Sequence, residues 1–110
     1  MNEIHENLRY FIERHGDIYE HYSAYGKAIH EEGGPLDEKT KRLIKVATSA
    51  TIQNGYSLNT HIRKAFKAGC SYDEIEHALL LIAPTAGFPA MMKALLTLRE
   101  EFEEEKNNIE

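Results

Sequence analysis

His61 and Ser57 stand four residues apart in a stretch of helical periodicity, which puts both side chains on one face. Histidine titrates near neutral pH and suits a general acid or base. A serine beside it also raises nucleophilic catalysis, which needs an orienting third group and an oxyanion hole. The sequence supplies neither recognisably, so the plain alternative is a Ser57 that caps its helix and a His61 that hydrogen-bonds a neighbour. Tyr56 offers a hydroxyl to a pocket, or is a half-buried aromatic with its hydroxyl in water. Arg42, one helix earlier, offers a cation to a carboxylate, or is a solvated helix arginine. Asn54 suits a turn, because asparagine tolerates the left-handed conformation. His61 and Ser57 are therefore the candidate catalytic residues, and Tyr56, Arg42 and Asn54 the candidate substrate-binding ones.

Metal chemistry finds little support. None of His5, His15, His21, His30 and His77 is four residues from another histidine. His77 follows Asp73 by four, which gives two ligands where zinc takes three or four. Cys70 is the only cysteine, so an intrachain disulfide, a multi-cysteine metal site and a redox pair within one chain are all excluded. No metal and no other cofactor is expected.

These residues need helices to hold them. Asn2 to His15 carries Ile4, Leu8, Phe11 and Ile12 at helical spacing and stops at Gly16. Asp17 can cap a second helix to about Glu32, with Ile18, Tyr22, Tyr25 and Ile29 as its apolar positions. Gly33-Gly34-Pro35 breaks the chain. A third helix starts at an Asp37 cap, places Leu43, Ile44, Ala47 and Ala50 in one stripe, and ends at Asn54-Gly55. The fourth runs from about Ser57 to Ala68 with Gly69 closing it. Ser71 and Glu74 form a capping box for a fifth. Its end, Ala78 to Ala83, is apolar almost all round, which predicts a bundle centre or a subunit interface, until Pro84 ends or kinks it. Pro89 suits the first position of a sixth helix, where Met91, Leu95 and Leu98 share a face and Met91-Met92 reads as packing. The Glu100 to Glu105 run reads as a solvated helix face and then a frayed tail.

Composition bounds the class. The chain has 110 residues, 42% hydrophobic and 28% charged, which fits one globular domain with a thin core over residues 1–110. A net charge of −5 with dispersed Lys and Arg argues against nucleic acid. No apolar run approaches the ~20 residues of a membrane span. The N-terminal residues lack the pattern of a secretory signal, so a cytoplasmic location is expected.

The ordered set Leu43-Ile44-Lys45-Val46-Ala47, Asn54-Gly55-Tyr56-Ser57, His61 to Ala65, Lys67-Ala68-Gly69, Asp73-Glu74-Ile75 and Ala86-Gly87-Phe88-Pro89-Ala90 resembles the signature region of the carboxymuconolactone decarboxylase and alkylhydroperoxidase D superfamily. The likeness is strongest over residues 43–96 and extends from Asp17 to Leu98. It implies an all-helical fold, assembly as trimers or hexamers, and an active site near subunit contacts. It implies either decarboxylation of 4-carboxymuconolactone or peroxide reduction by a Cys-x-x-Cys pair. In the peroxidase branch the two cysteines fall at Asn54 and Ser57 of this chain and a relay glutamate at Arg42, so only the histidine, His61, remains. Thiolate chemistry needs sulfur, and neither asparagine nor serine provides it. Some decarboxylase-branch members carry a glutamate four residues before the histidine, where this chain has Ser57.

The expectation is an all-α, compact, oligomeric bundle of about six helices. Its function is expected to be decarboxylase-like or lyase-like on a small anionic organic molecule, with His61 as acid–base residue. The competing class is a binding or scaffold protein that keeps the fold and has lost the chemistry.

Overall fold

A computed structural model describes residues 3–109, all helical or in turns, with no strand among the described residues. The chain falls into two compact units that meet in sequence at Pro35 and Leu36.

The first unit holds α1 (Glu3–Arg14), α2 (Gly16–Lys27) and a π-helical turn, Ala28–Glu32, that continues α2. His15 separates α1 from α2 and makes no side-chain cap, so Asp17, expected as the cap, lies inside the first turn of α2. An acidic side chain there still favours the helix dipole. The Phe11 ring lies 5.4 Å from His15 and 6.4 Å from Tyr19. No described residue of this unit is fully buried.

The second unit contains α3 (Glu38–Thr51), α4 (Gly55–Lys67), α5 (Tyr72–Leu80), α6 (Ala83–Ala86) and α7 (Phe88–Ile109). The six expected helices are thus present, with a single extra turn, α6, between the last two. Local chemistry sets most of their ends. Asp37 accepts the Thr40 N–H at 2.8 Å, and Ser71 and Glu74 exchange both bonds of the capping box. Pro84 lacks an N–H and crowds the carbonyl four residues back, which is that of Leu80. That is where α5 stops, three residues earlier than Ala83, and Pro84 enters the first turn of α6.

The core collects Val46 from α3, Leu58, Ile62 and Ala65 from α4, Ile75 and Leu79 from α5, and Leu98 from α7. Of the expected α3 stripe, Ala50 is in the core and Leu43 and Ala47 pack against it, but the buried face centres nearer Val46. Val46, Ser49 and Ala50 are buried, whereas Ile44 is exposed. The apolar stretch Ala78 to Ala83 is also split, since Leu79 and Ile82 are buried and Leu80 and Leu81 exposed. Met91 packs in the core and Met92 does not.

The acidic run is not uniformly solvated. The helix continues through it, and the Glu101 side chain keeps only 7% of its exposure while its carboxylate accepts from Arg63 Nε at 3.0 Å. Phe102 beside it packs on the rings of Tyr72 at 4.9 Å and Phe66 at 6.1 Å.

Candidate functional site

The site is built on the α3–α4 hairpin, and a tight turn sets its geometry. Two bonds close the end of α3: Asn54 N–H to the Ser49 carbonyl and Gln53 N–H to the Ala50 carbonyl, at 3.2 and 3.1 Å. This is the paired-bond helix stop that calls for a left-handed residue. Gln53 takes that conformation (φ 56°), not Asn54 or Gly55 as their types suggested. Asn54 is instead extended and is the cap of α4. Its side-chain oxygen accepts the Ser57 N–H at 3.0 Å, so α4 begins at Gly55 and Ser57 lies in its first turn.

Ser57 thereby points its hydroxyl back at α3, where the Ser49 and Ser57 Oγ atoms hydrogen-bond at 2.9 Å. Ser49 is 4% exposed. A buried hydroxyl needs a partner, and the pair satisfies this within an otherwise apolar contact. His61 follows one turn along the same face of α4. It is half-buried and its Nδ1 is shielded from solvent. The arrangement is a short polar track, Ser49–Ser57–His61, set into the hydrophobic hairpin. Ser49 was missed in the sequence because it sits inside an apolar stripe. Its signal was a serine at a core position of α3.

The remaining candidates are dispersed. Tyr56 is 37% exposed, and its carbonyl accepts the Thr60 hydroxyl at 3.2 Å. Arg42 lies two turns before Ser49, and its Nε donates to Glu38 Oε2 at 2.6 Å, with Lys41 Nζ also 3.3 Å from that carboxylate. These bonds hold the Glu38 carboxyl below the usual carboxylate range. The Arg42 charge is therefore already engaged by an acid on its own helix.

Two open clefts mark the second unit. One, about 380 Å³, runs between α3 and α5, and its lining includes Leu43, Ile44, Ala47, His77 and Leu81 together with three threonines, Thr40, Thr51 and Thr85. The other, about 660 Å³, lies along α7 against Tyr72 and Phe102. Among the described residues no three metal-ligating side chains converge. Cys70 is buried, 3.7 Å from the Lys39 carbonyl, and burial raises its thiol pKa, the opposite of what a reactive thiolate needs.

Comparison with known proteins decides the lineage. The profile of the carboxymuconolactone decarboxylase family matches residues 16–100. The chain belongs to the carboxymuconolactone decarboxylase family. Solved structures of this family agree over nearly the whole chain. A family protein from Legionella pneumophila superposes with a TM-score of 0.82 at 27% identity, covering 93% of this chain and 89% of that one. A family protein from Thermotoga maritima gives 0.77 at 26% identity, covering 96% and 92%. Among curated relatives, an uncharacterized 15.0 kDa protein of Paracoccus denitrificans is 32% identical over 84 residues, 74% of this chain and 60% of that protein. An uncharacterized protein of Methanocaldococcus jannaschii is 29% identical over 68 residues, 62% of this chain and 64% of that protein. The matches thus span less than two thirds of these curated relatives. Among the described residues, no helix of this carboxymuconolactone decarboxylase family protein is long and apolar enough to cross a membrane.

Proposed function

We propose that the protein is a decarboxylase-like lyase acting on a small organic anion, with His61 as its acid–base residue, and that it works as a homo-oligomer. The observation that carries this reading is the polar track on the α3–α4 hairpin. His61 has a shielded Nδ1, and one turn away stands a hydroxyl pair whose own bond is already made. Loss of CO₂ from a carboxylate leaves an electron pair on carbon, which a carbonyl such as that of a lactone can delocalise. A proton donor must then complete the product. A half-buried imidazole suits that step, since histidine exchanges its proton near neutral pH. Ser57 serves as a hydrogen-bonding neighbour rather than as a nucleophile: its hydroxyl is held against Ser49, and nothing in the sequence recognisably supplies the orienting group and oxyanion hole that a nucleophilic serine needs. Tyr56 and Asn54 flank the same turn. Peroxide reduction by a cysteine pair is outside the reach of a chain whose one thiol is Cys70.

A specific observation favours a second reading, a binding or scaffold homologue without catalysis. Arg42, the candidate for gripping a carboxylate, is engaged by Glu38. The experiment is to follow loss of 4-carboxymuconolactone by its absorbance with the wild type, His61→Gln and Ser57→Ala. The lyase reading expects turnover that His61→Gln removes by ~10²-fold or more and Ser57→Ala reduces less. Turnover equal in His61→Gln and wild type sinks the role of His61, and no turnover in any form favours the scaffold.

A further inference from the structure

The Ser49–Ser57 hydrogen bond has a direction, and burial sets it. A serine hydroxyl has one O–H to donate and two lone pairs that accept. Ser49 is buried, so its O–H needs an acceptor inside the protein. Two neighbours on α3 take the local solution. Thr48 donates to the Ile44 carbonyl and Thr51 to the Ala47 carbonyl, each at 2.8 Å. Ser49 instead turns its hydroxyl to α4, and among the described residues its one side-chain partner is Ser57 Oγ, at 2.9 Å. Ser49 therefore donates and Ser57 accepts, because the reverse would leave a buried O–H with nothing to bond. Ser57 is only half-buried and keeps its own O–H for a partner at the surface. An O–H whose oxygen already accepts a bond is also the stronger donor.

We infer that Ser49 is a positioning residue, which holds Ser57 as the hydrogen-bond donor to a carboxylate oxygen of the bound ligand. The group that Ser57 meets must be an acceptor. Ser57 lies in the first turn of α4, at the positive end of the helix dipole, so an acceptor carrying negative charge is favoured over a neutral one. His61 follows one turn later on the same face. Residues so spaced have Cβ atoms about 5–6 Å apart, so a carboxylate held by Ser57 lies beside the imidazole. Ser49 fixes Ser57 twice. Its hydroxyl does so directly, and its carbonyl does so through Asn54, accepting the Asn54 N–H at 3.2 Å while Asn54 Oδ1 accepts the Ser57 N–H at 3.0 Å. Ser49→Ala removes the first tie and keeps the second, so the turn survives and the hydroxyl alone is tested.

The inference rests on the small organic anion proposed above and adds the groups that recognise its carboxylate. The test is binding of γ-carboxy-γ-butyrolactone, a saturated lactone acid with no conjugated carbonyl to take up an electron pair, so affinity is read apart from turnover. Its Kd is measured by NMR titration of the full chain as wild type, Ser49→Ala, Ser57→Ala and the double variant, with a urea midpoint for each. Ser57→Ala is expected to weaken binding roughly tenfold and Ser49→Ala roughly threefold. The double variant is expected to match Ser57→Ala, because Ser49 acts through Ser57. Ser57→Ala should also lower the urea midpoint by orphaning the Ser49 O–H, and adding Ser49→Ala should bring it back. A wild type that does not bind the lactone acid, or a Ser57→Ala that binds it equally well, overturns Ser57 as the ligand's donor. A Ser49→Ala effect of the same size in both backgrounds overturns the positioning role. A Ser57→Ala midpoint equal to that of wild type overturns the direction of the bond. The lyase reading is judged separately, by turnover in His61→Gln: a protein without turnover whose affinity still depends on Ser57 and Ser49 in this way sinks that reading and supports the inference.

Discussion

Arg63→Ala is expected to be costlier than its surface position suggests. The Arg63 side chain is 54% exposed, while its partner Glu101 is only 7% exposed and 3.0 Å away. Alanine is a better helix former than arginine, so an isolated exposed Arg63 would be replaced at almost no loss. Here removal of the guanidinium leaves a carboxylate with little access to water. Breaking a fully buried pair costs about 3–5 kcal/mol and an exposed pair below ~1 kcal/mol. One partner being solvated places Arg63→Ala between these, at about 1–3 kcal/mol. Glu101→Ala should lose only about 1 kcal/mol, because Arg63 can return to water. The double variant should then be more stable than Arg63→Ala alone. Glu103→Ala, an exposed acid two residues on, should stay within ~0.5 kcal/mol of wild type. Urea unfolding followed by circular dichroism measures all four. If Arg63→Ala matches wild type within error, or the double variant is the least stable, then Glu101 is solvated and the argument from its burial is wrong.

Two further outcomes follow from the helix ends. Gly69 and Gln53 occupy equivalent left-handed stops, at φ 94° and 56°, with open space around the glycine. Gly69→Ala should destabilise by about 1 kcal/mol and Gln53→Gly should not destabilise at all, both read from thermal unfolding. Acid should loosen the second unit. The carboxyls of Asp37, Glu38 and Glu74 are held below their usual values, chiefly by the Thr40 backbone N–H, Arg42 and the Ser71 backbone N–H respectively. A depressed folded pKa stabilises above the unfolded value of ~4 and the benefit is lost as pH falls through the folded one. Stability should therefore be flat above about pH 5 and fall below about pH 4. Glu74→Gln should flatten that limb in a pH series of urea midpoints, and an unchanged limb would show that these bonds do not persist in solution.

What was legible in the sequence was what neighbours in the chain decide. The Ser71–Glu74 capping box, the Asp37 cap and the Gly69 stop each need only three or four residues, and all three stand in the structure. The turn before α4 was misread by one residue because Gln53 accepts a conformation its type disfavours, which frees Asn54 to cap. The exchange of Ile44 for Val46 in the buried face of α3 was hidden because both are apolar, and only packing against α4 and α5 chooses between them. Glu101 carries no local mark at all: it differs from Glu100 and Glu103 only through Arg63, thirty-eight positions away. At the candidate site the spacing of Ser57 and His61 was readable. The bond from Ser57 to Ser49 was not, because it depends on how two helices meet.

The π-helical turn at Ala28–Glu32 gives the chain one residue of slack. Such a turn holds an additional residue within the same helical run, and there the ring of His30, through Nδ1, meets the Gly26 carbonyl at 2.9 Å. Deleting one residue from this turn would let the bonds close as ordinary α-helix, with the preceding helix undisturbed. The slack lies inside the first unit, ahead of Gly33 and Gly34, so a one-residue change in length there need not reach back into α2.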